Sequence, residues 1–342
     1  MAGALAHLSP RPRRGGRPLA ALLALLGSAC EPAADPDQQV QAVLDRAYLP
    51  QALQLIGTAR TEVDVMQFHI SPGTATGQLE QALAEAVRRG VRVRLLADEE
   101  AAATAEAVAR LVAAGVQARL DRPDRRTHTK MILADRRRLL LGSTNWSSSS
   151  IERNVESNVL IQDSRIGEAA AAYMTALDER PLVPPPFACT SSGAVRLCPD
   201  RSFEKPLLEL LQGAQRRLDV LLYSVRLYPG NPEAPSTQAL RALREAAGRG
   251  VPVRVLLEHS GFNEELNRYN EEAARYLAEG GVAVRFDSAS TITHAKLVLC
   301  DDRATVGSMN WGHGGFRLHH ELNALLEGPV VSELAAYFEA RW

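Results

Sequence analysis

An excess of basic charge is missing from this 342-residue chain: 39 Lys and Arg stand against 40 Asp and Glu, for a formal net charge of −1. A protein that captures nucleic acid broadly through its phosphates needs a positive surface, so the composition gives that class no support. Long apolar runs are missing too. The run Leu19 to Leu26 is much shorter than the roughly 18 residues needed to span a bilayer, and no other window reaches that length. Cysteine is scarce, with Cys30, Cys189, Cys198 and Cys300 alone, and no Cys/His spacing is typical of zinc. Neither metal nor cofactor is expected. No low-complexity tract occurs, and 46% hydrophobic with 23% charged residues suits a globular protein able to bury a sizeable core.

What is present begins with a distinct N-terminus. Arg11, Arg13, Arg14 and Arg17 precede the apolar run, and Gly27, Ser28, Ala29 and Cys30 follow it. This reads as an export signal over 1–30, with a polar tether over 31–45. Cys30 resembles the lipidated cysteine of a bacterial lipoprotein, yet Gly27 stands where leucine is usual, so cleavage without lipidation stays an alternative. Export removes four arginines and no acid, taking the net charge to −5. In an exported chain Cys189 and Cys198 are candidates for a disulfide closing a small loop, whereas Cys300, within an apolar run, reads as a buried thiol.

The chain repeats itself. Ala59–Phe68 aligns with Ala214–Tyr223, Glu85–Leu96 with Glu245–Leu256, and the glycines Gly90 and Gly115 with Gly250 and Gly281 as helix stops before apolar strands. Alternating helices and strands predict an α/β architecture of two similar lobes, 46–180 and 201–342, with a proline-bearing linker over 181–200.

The strongest repeat is chemical. The first half reads His128-Thr-Lys130, then Asp135, then Gly142-Ser143-Thr-Asn145-Trp146, and later Glu156. The second reads His294-Ala-Lys296, Asp301, Gly307-Ser308-Met-Asn310-Trp311 and Glu321. In a strand, His and Lys two apart share a face. Two such strands brought together surround a phosphodiester with two ammonium groups and two amides that neutralise its oxygens. One imidazole can attack phosphorus while the other protonates the leaving oxygen. Glu156 and Glu321 can each orient a histidine through its second ring nitrogen, and Ser143 and Ser308 are candidate substrate donors.

These paired His-x-Lys-x4-Asp motifs, each followed by Gly-Ser-x-Asn, resemble those of the phospholipase D superfamily over nearly the whole chain beyond the N-terminal segment. The resemblance implies a mixed sheet flanked by helices in each lobe, pseudo-two-fold related, with one site at their seam. It implies His128 as nucleophile, His294 as acid and base, and Asp135 and Asp301 in structural ion pairs. The expected activity is hydrolysis or transfer of a phospholipid headgroup ester at the cell envelope, with an exported nuclease and a non-catalytic binding protein as alternatives. Cardiolipin synthases of this superfamily fit less well, because their usual N-terminal membrane helices are not seen. The sequence does not decide the oligomeric state.

Beyond the N-terminal segment, five histidines fall outside the repeat: His69, His259, His313, His319 and His320. Each reads by default as a loop or core residue, with His313 and His320 close enough to the motif to line a pocket. Trp146 and Trp311 read as packing. The arginines at 122, 125, 126 and 136–138 read mostly as solvated loop residues.

Overall fold

A computed structural model describes residues 35–122, 124–179, 186–288 and 290–342. The expected signal, the lipidation at Cys30 and the linker prolines Pro181, Pro184 and Pro185 lie outside the described residues. Strands β1 (Gln39–Leu44), β2 (Glu62–Gln67), β3 (Arg92–Ala97), β4 (Gln117–Leu120), β5 (Met131–Ala134), β6 (Arg138–Gly142) and β7 (Ser157–Gln162) form one sheet, in the order β1-β7-β6-β5-β2-β3-β4. Strands β8 (Thr190–Ser192), β9 (Val195–Pro199), β10 (Leu218–Leu222), β11 (Val253–Leu257), β12 (Ala283–Phe286), β13 (Lys296–Cys300), β14 (Arg303–Gly307) and β15 (Leu322–Glu327) form the other, in the order β12-β11-β10-β13-β14-β15-β9-β8. The second path repeats the first, with β8 added at its edge.

In each lobe three parallel strands join an antiparallel set, giving an α/β fold of two mixed sheets flanked by helices. Parallel neighbours need crossovers, which are supplied by α2 (Thr74–Arg88) and α3 (Ala102–Ala113) behind α1 (Tyr48–Gly57) in the first lobe. In the second, α7 (Pro235–Gly248) and α8 (Glu264–Glu279) follow α6 (Glu204–Gln212). Gly90 and Gly250 end their helices at φ of 85° and 87°, a conformation that costs glycine little.

Alternation along each strand assigns its two faces. In β6, Leu140 faces the helices while Leu139 and Leu141 join Val159 and Ile161 of β7. These enter one central cluster with Val306 of β14 and Leu322 and Ala324 of β15, so the two sheets share a core. The remaining helices are α4 (Ser148–Glu152), α5 (Ser164–Asp178) and α9 (Val330–Glu339); α5 packs on β8 and β9 of the other lobe, and α9 on β1.

Two expected boundaries change. Residues 39–44 of the supposed tether are β1, whose alternating Gln-Val-Gln-Ala-Val-Leu pairs with β7. Residues 190–199 of the supposed linker are β8 and β9, and β9 holds in the second sheet the place of β1 in the first. Short edge strands without a long apolar run carry too weak a pattern to stand out beside glycine and proline. Cys189 and Cys198 are joined by a disulfide across this hairpin, and Cys300 is a buried free thiol.

Candidate active site

Each His-x-Lys stretch departs from a simple strand. His128 to Lys130 precede β5, and only Lys296 lies inside β13. The reason is a change of hydrogen-bond partner. His128 N–H donates to His320 O (2.9 Å) and His320 N–H to Arg126 O (2.8 Å); His294 N–H donates to Val155 O (2.9 Å) and Val155 N–H to Ile292 O (2.9 Å). Two short parallel bridges thus cross between the lobes. They set each histidine against the glutamate of the opposite half.

His128 Nδ1 lies 2.9 Å from Glu321 Oε1, and His294 Nδ1 lies 3.0 Å from Glu156 Oε2. His128, Lys130, Glu156, His294, Lys296 and Glu321 are all buried, none more than 8% exposed. Each lysine turns its ammonium to the carbonyl of the histidine two residues earlier. The Ser143 hydroxyl donates to Glu156 (2.5 Å) and that of Ser308 to Glu321, while each accepts a backbone N–H. Each serine, expected as a donor to substrate, has one proton, which here is given to a carboxylate.

The Gly-Ser-x-Asn stretches follow from close packing. A Cβ on Gly142 would lie 2.4 Å from both Asn158 Oδ1 and Ser157 O, and one on Gly307 would lie 2.2 Å from Asn323 Oδ1. Asn158 and Asn323 accept the N–H of Thr144 and Met309, fixing the turns that carry Asn145 and Asn310. Asn145 and Asn310 make no side-chain hydrogen bond among the described residues, their Oδ1 atoms buried without a donor, so each Nδ2 is free to donate to a bound ligand.

Asp135 and Asp301 lie at the far ends of β5 and β13. Asp135 accepts N–H groups from Arg60 and Thr61 and pairs with Arg138 at 3.1 Å. Asp301 instead accepts three backbone N–H groups, from Gln215, Arg216 and Arg217. The expected ion pair is therefore replaced at Asp301 by a cap on the approach to β10.

Several partners have no motif in the sequence. The ring centroids of Phe68 and Tyr223, already aligned in the repeat, lie 4.9 and 4.8 Å from those of His128 and His294, with the ammonium groups 4.9 and 5.1 Å from the same rings. Asp45 and Asp200, both at positive φ, accept the backbone N–H of Glu156 and Glu321 and the hydroxyls of Tyr337 and Tyr173. Thr127 N–H is held by Asp98 and Asp121, and Thr293 N–H by Glu258. Burial raises Asp121 to about 6 and Glu258 to about 7.

His319, not His313, reaches the centre: its Nδ1 lies 3.7 Å from Glu321, whereas His313 is exposed. His320 is turned aside to Asp200 at 3.3 Å. His69 lies close enough for Lys130 to reinforce the lowering that its burial causes. Trp146 and Trp311 are core residues. His128, His319 and Glu321 bring three possible ligand atoms within 4.8 Å, but the same carboxylate already serves two imidazoles and faces Lys130, a poor setting for a dication. A cavity of about 370 Å³ opens beside His319, lined in part by Asp98, Arg122, Arg126 and Leu318. A larger one, about 850 Å³ around Arg217, Asp301 and Glu327, lies at the opposite end of β13, away from the histidines.

Burial pushes the His128 imidazole down to about 3 against the pull of Glu321, and lowers His294 in the same way against Glu156. It also brings Lys296 down to about 8 and lowers Lys130 well below the usual lysine range. For Glu156 and Glu321 burial acts upward, but their histidines, the serine or histidine hydrogen bonds and the lysines outweigh it, so both carboxylates stay ionised. The arrangement fixes Nδ1–H of each imidazole on a carboxylate and leaves Nε2 as the nitrogen open to a ligand.

Residues 52–178 and 207–342 each match the family described as "Cardiolipin synthase, PLD-like domain". Cardiolipin synthase B of Shigella flexneri is 25% identical over 313 residues, which cover 82% of this chain and 74% of that protein. The mitochondrial cardiolipin hydrolase of Homo sapiens is 34% identical over 116 residues, 34% of this chain and 44% of that protein. A phosphatidylserine synthase structure from Haemophilus influenzae Rd KW20 shares the fold, with a TM-score of 0.67 at 13% identity over 87% of this chain and 84% of that one. With the family matched in both halves and the paired motifs gathered at one seam, the chain belongs to the phospholipase D superfamily.

Proposed function

We propose that the chain is a phosphodiesterase of the phospholipase D type that cleaves a phospholipid headgroup ester through a covalent phosphohistidine. The observation that carries this reading is the crossed pairing of two buried imidazoles with two carboxylates, both imidazoles acted on by both lysine ammonium groups. Nε2 of His128 attacks phosphorus, an N–P bond forms as the bond to the leaving oxygen breaks, and the proton on His294 passes to that oxygen. Water or an alcohol then attacks phosphorus, loses its proton to His294, and the N–P bond breaks. Lys130, Lys296, Asn145 and Asn310 hold the non-bridging oxygens throughout. No step needs a metal.

Phospholipid as substrate is supported by the names of the relatives: a cardiolipin synthase, a cardiolipin hydrolase and a phosphatidylserine synthase. Transfer to an alcohol stands beside hydrolysis. Among the described residues no helix is long and apolar enough to cross a membrane, yet the match to a cardiolipin synthase covers 82% of the chain. The N-terminal basic and apolar run favours export to the cell envelope, and Cys30 a lipid anchor.

The test is incubation under EDTA with phosphatidylcholine, phosphatidylglycerol or single-stranded DNA, together with acid-quench trapping of labelled phosphate on histidine. Headgroup release, or transfer to added glycerol, is expected together with a phosphoenzyme lost in His128→Ala and, from a p-nitrophenyl diester whose leaving group needs no proton, kept in His294→Ala. DNA cleavage without lipid turnover would replace the substrate by nucleic acid, and no turnover of any diester would favour a binding protein.

A further inference from the structure

The two half-sites match in His, Lys, Ser, Asn and Glu and differ around them, and one of those differences touches a glutamate directly. Two residues before each glutamate stands Asn154 in the first half and His319 in the second. Asn154 Nδ2 donates to Glu156 Oε1 at 3.2 Å. His319 Nδ1 takes the same place 3.7 Å from Glu321 Oε1, and its ring centroid lies 5.7 Å from that of His128. The ring is held there: a Cβ on Gly314 would lie 2.5 Å from its Cε1, and the His319 N–H donates to Gly314 O at 2.9 Å. Glu156 therefore serves one imidazole and a neutral amide, while Glu321 stands between two imidazoles.

We infer that His319 is a positioning residue that makes the two catalytic histidines unequal, keeping His128 the unprotonated nucleophile and leaving the proton to His294. The inference rests on the phosphohistidine chemistry proposed above. A carboxylate shared between two rings stabilises an imidazolium at either one less than a carboxylate with a single ring does. Lys130 faces the same carboxylate and acts in the same direction. Across the mouth, Arg126 is paired with Glu100 and Asp98 is held by backbone N–H groups, so they add little to tip the balance.

The residues can be exchanged, because each already functions in the matching position of the other half. In His319→Asn the acid limb of the kcat/KM profile is expected to move up by about half to one pH unit, as His128 becomes easier to protonate. In the double exchange Asn154→His with His319→Asn, trapped phosphate is expected to shift from His128 towards His294, read by peptide mapping of the quenched enzyme. Label remaining wholly on His128 in the double exchange, with an unmoved acid limb in the single variant, overturns the role of His319. If the double variant does not fold, the limb of the single variant decides. Absence of any phosphoenzyme in the unmodified protein is a separate result, which overturns the chemistry itself.

Discussion

Glu321 and Glu156 are chemically alike, yet the crossed pairing gives their loss different consequences. Glu321→Gln removes the charge opposite His128, so nucleophilic attack suffers whatever the leaving group, by about 10²-fold or more in kcat. Glu156→Gln reduces the share of His294 that carries a proton to give, so an alkyl headgroup ester should suffer far more than a p-nitrophenyl diester, whose leaving group needs no proton. Equal losses on both substrates in both variants would contradict the crossed assignment. The lysines set the upper limit of the working pH. Lys296 is pushed down to about 8 by burial and Lys130 well below its usual range, and only the charged forms stabilise the diester oxygens. Activity is thus present below the lowered value and lost as pH rises through it, so the basic limb of kcat/KM should fall at about pH 8 or lower. A limb near 10.5, where a solvated lysine titrates, would remove the electrostatic account.

At the scale of elements, the turns after β6 and β14 admit no side chain at Gly142 or Gly307. Alanine at either should cost about 2–3 kcal/mol and displace the asparagine three residues on, lowering both Tm and activity. Gly77, inside α2 with open space where a methyl group would point, is the control: alanine there should raise stability by about 0.5–1 kcal/mol. These turns, the glycine-stopped helices and the His, Lys, Asn and Glu sets were legible in the sequence, because each occurs twice at nearly constant spacing. The offset could not say which glutamate serves which histidine, since crossing arises only when the sheets meet. Phe68, Tyr223, Asp45 and Asp200 act through stacking and backbone N–H groups, which impose no spacing on the chain. His319 stayed hidden because it is where the repeat breaks.

At the scale of the whole molecule, the halves are neither structurally nor chemically independent. Leu139, Leu141, Val159 and Ile161 of the first sheet share a cluster with Val306, Leu322 and Ala324 of the second, so separation exposes a broad apolar face. Expressed alone, 35–179 or 186–342 should aggregate or self-associate and as a monomer form no phosphoenzyme, while co-expression of the two should restore activity without a covalent connection. Gel filtration and phosphate trapping on the three preparations check this. A monodisperse, active single-half monomer would disprove it. The crossed glutamates also bear on how such a chain comes to exist. A unit whose histidine is completed by the glutamate of another copy already works as a pair of identical, unjoined molecules. Once both copies sit in one polypeptide, neither has to play both parts, and a change tolerable on one side alone, such as His319 opposite Asn154, can be kept.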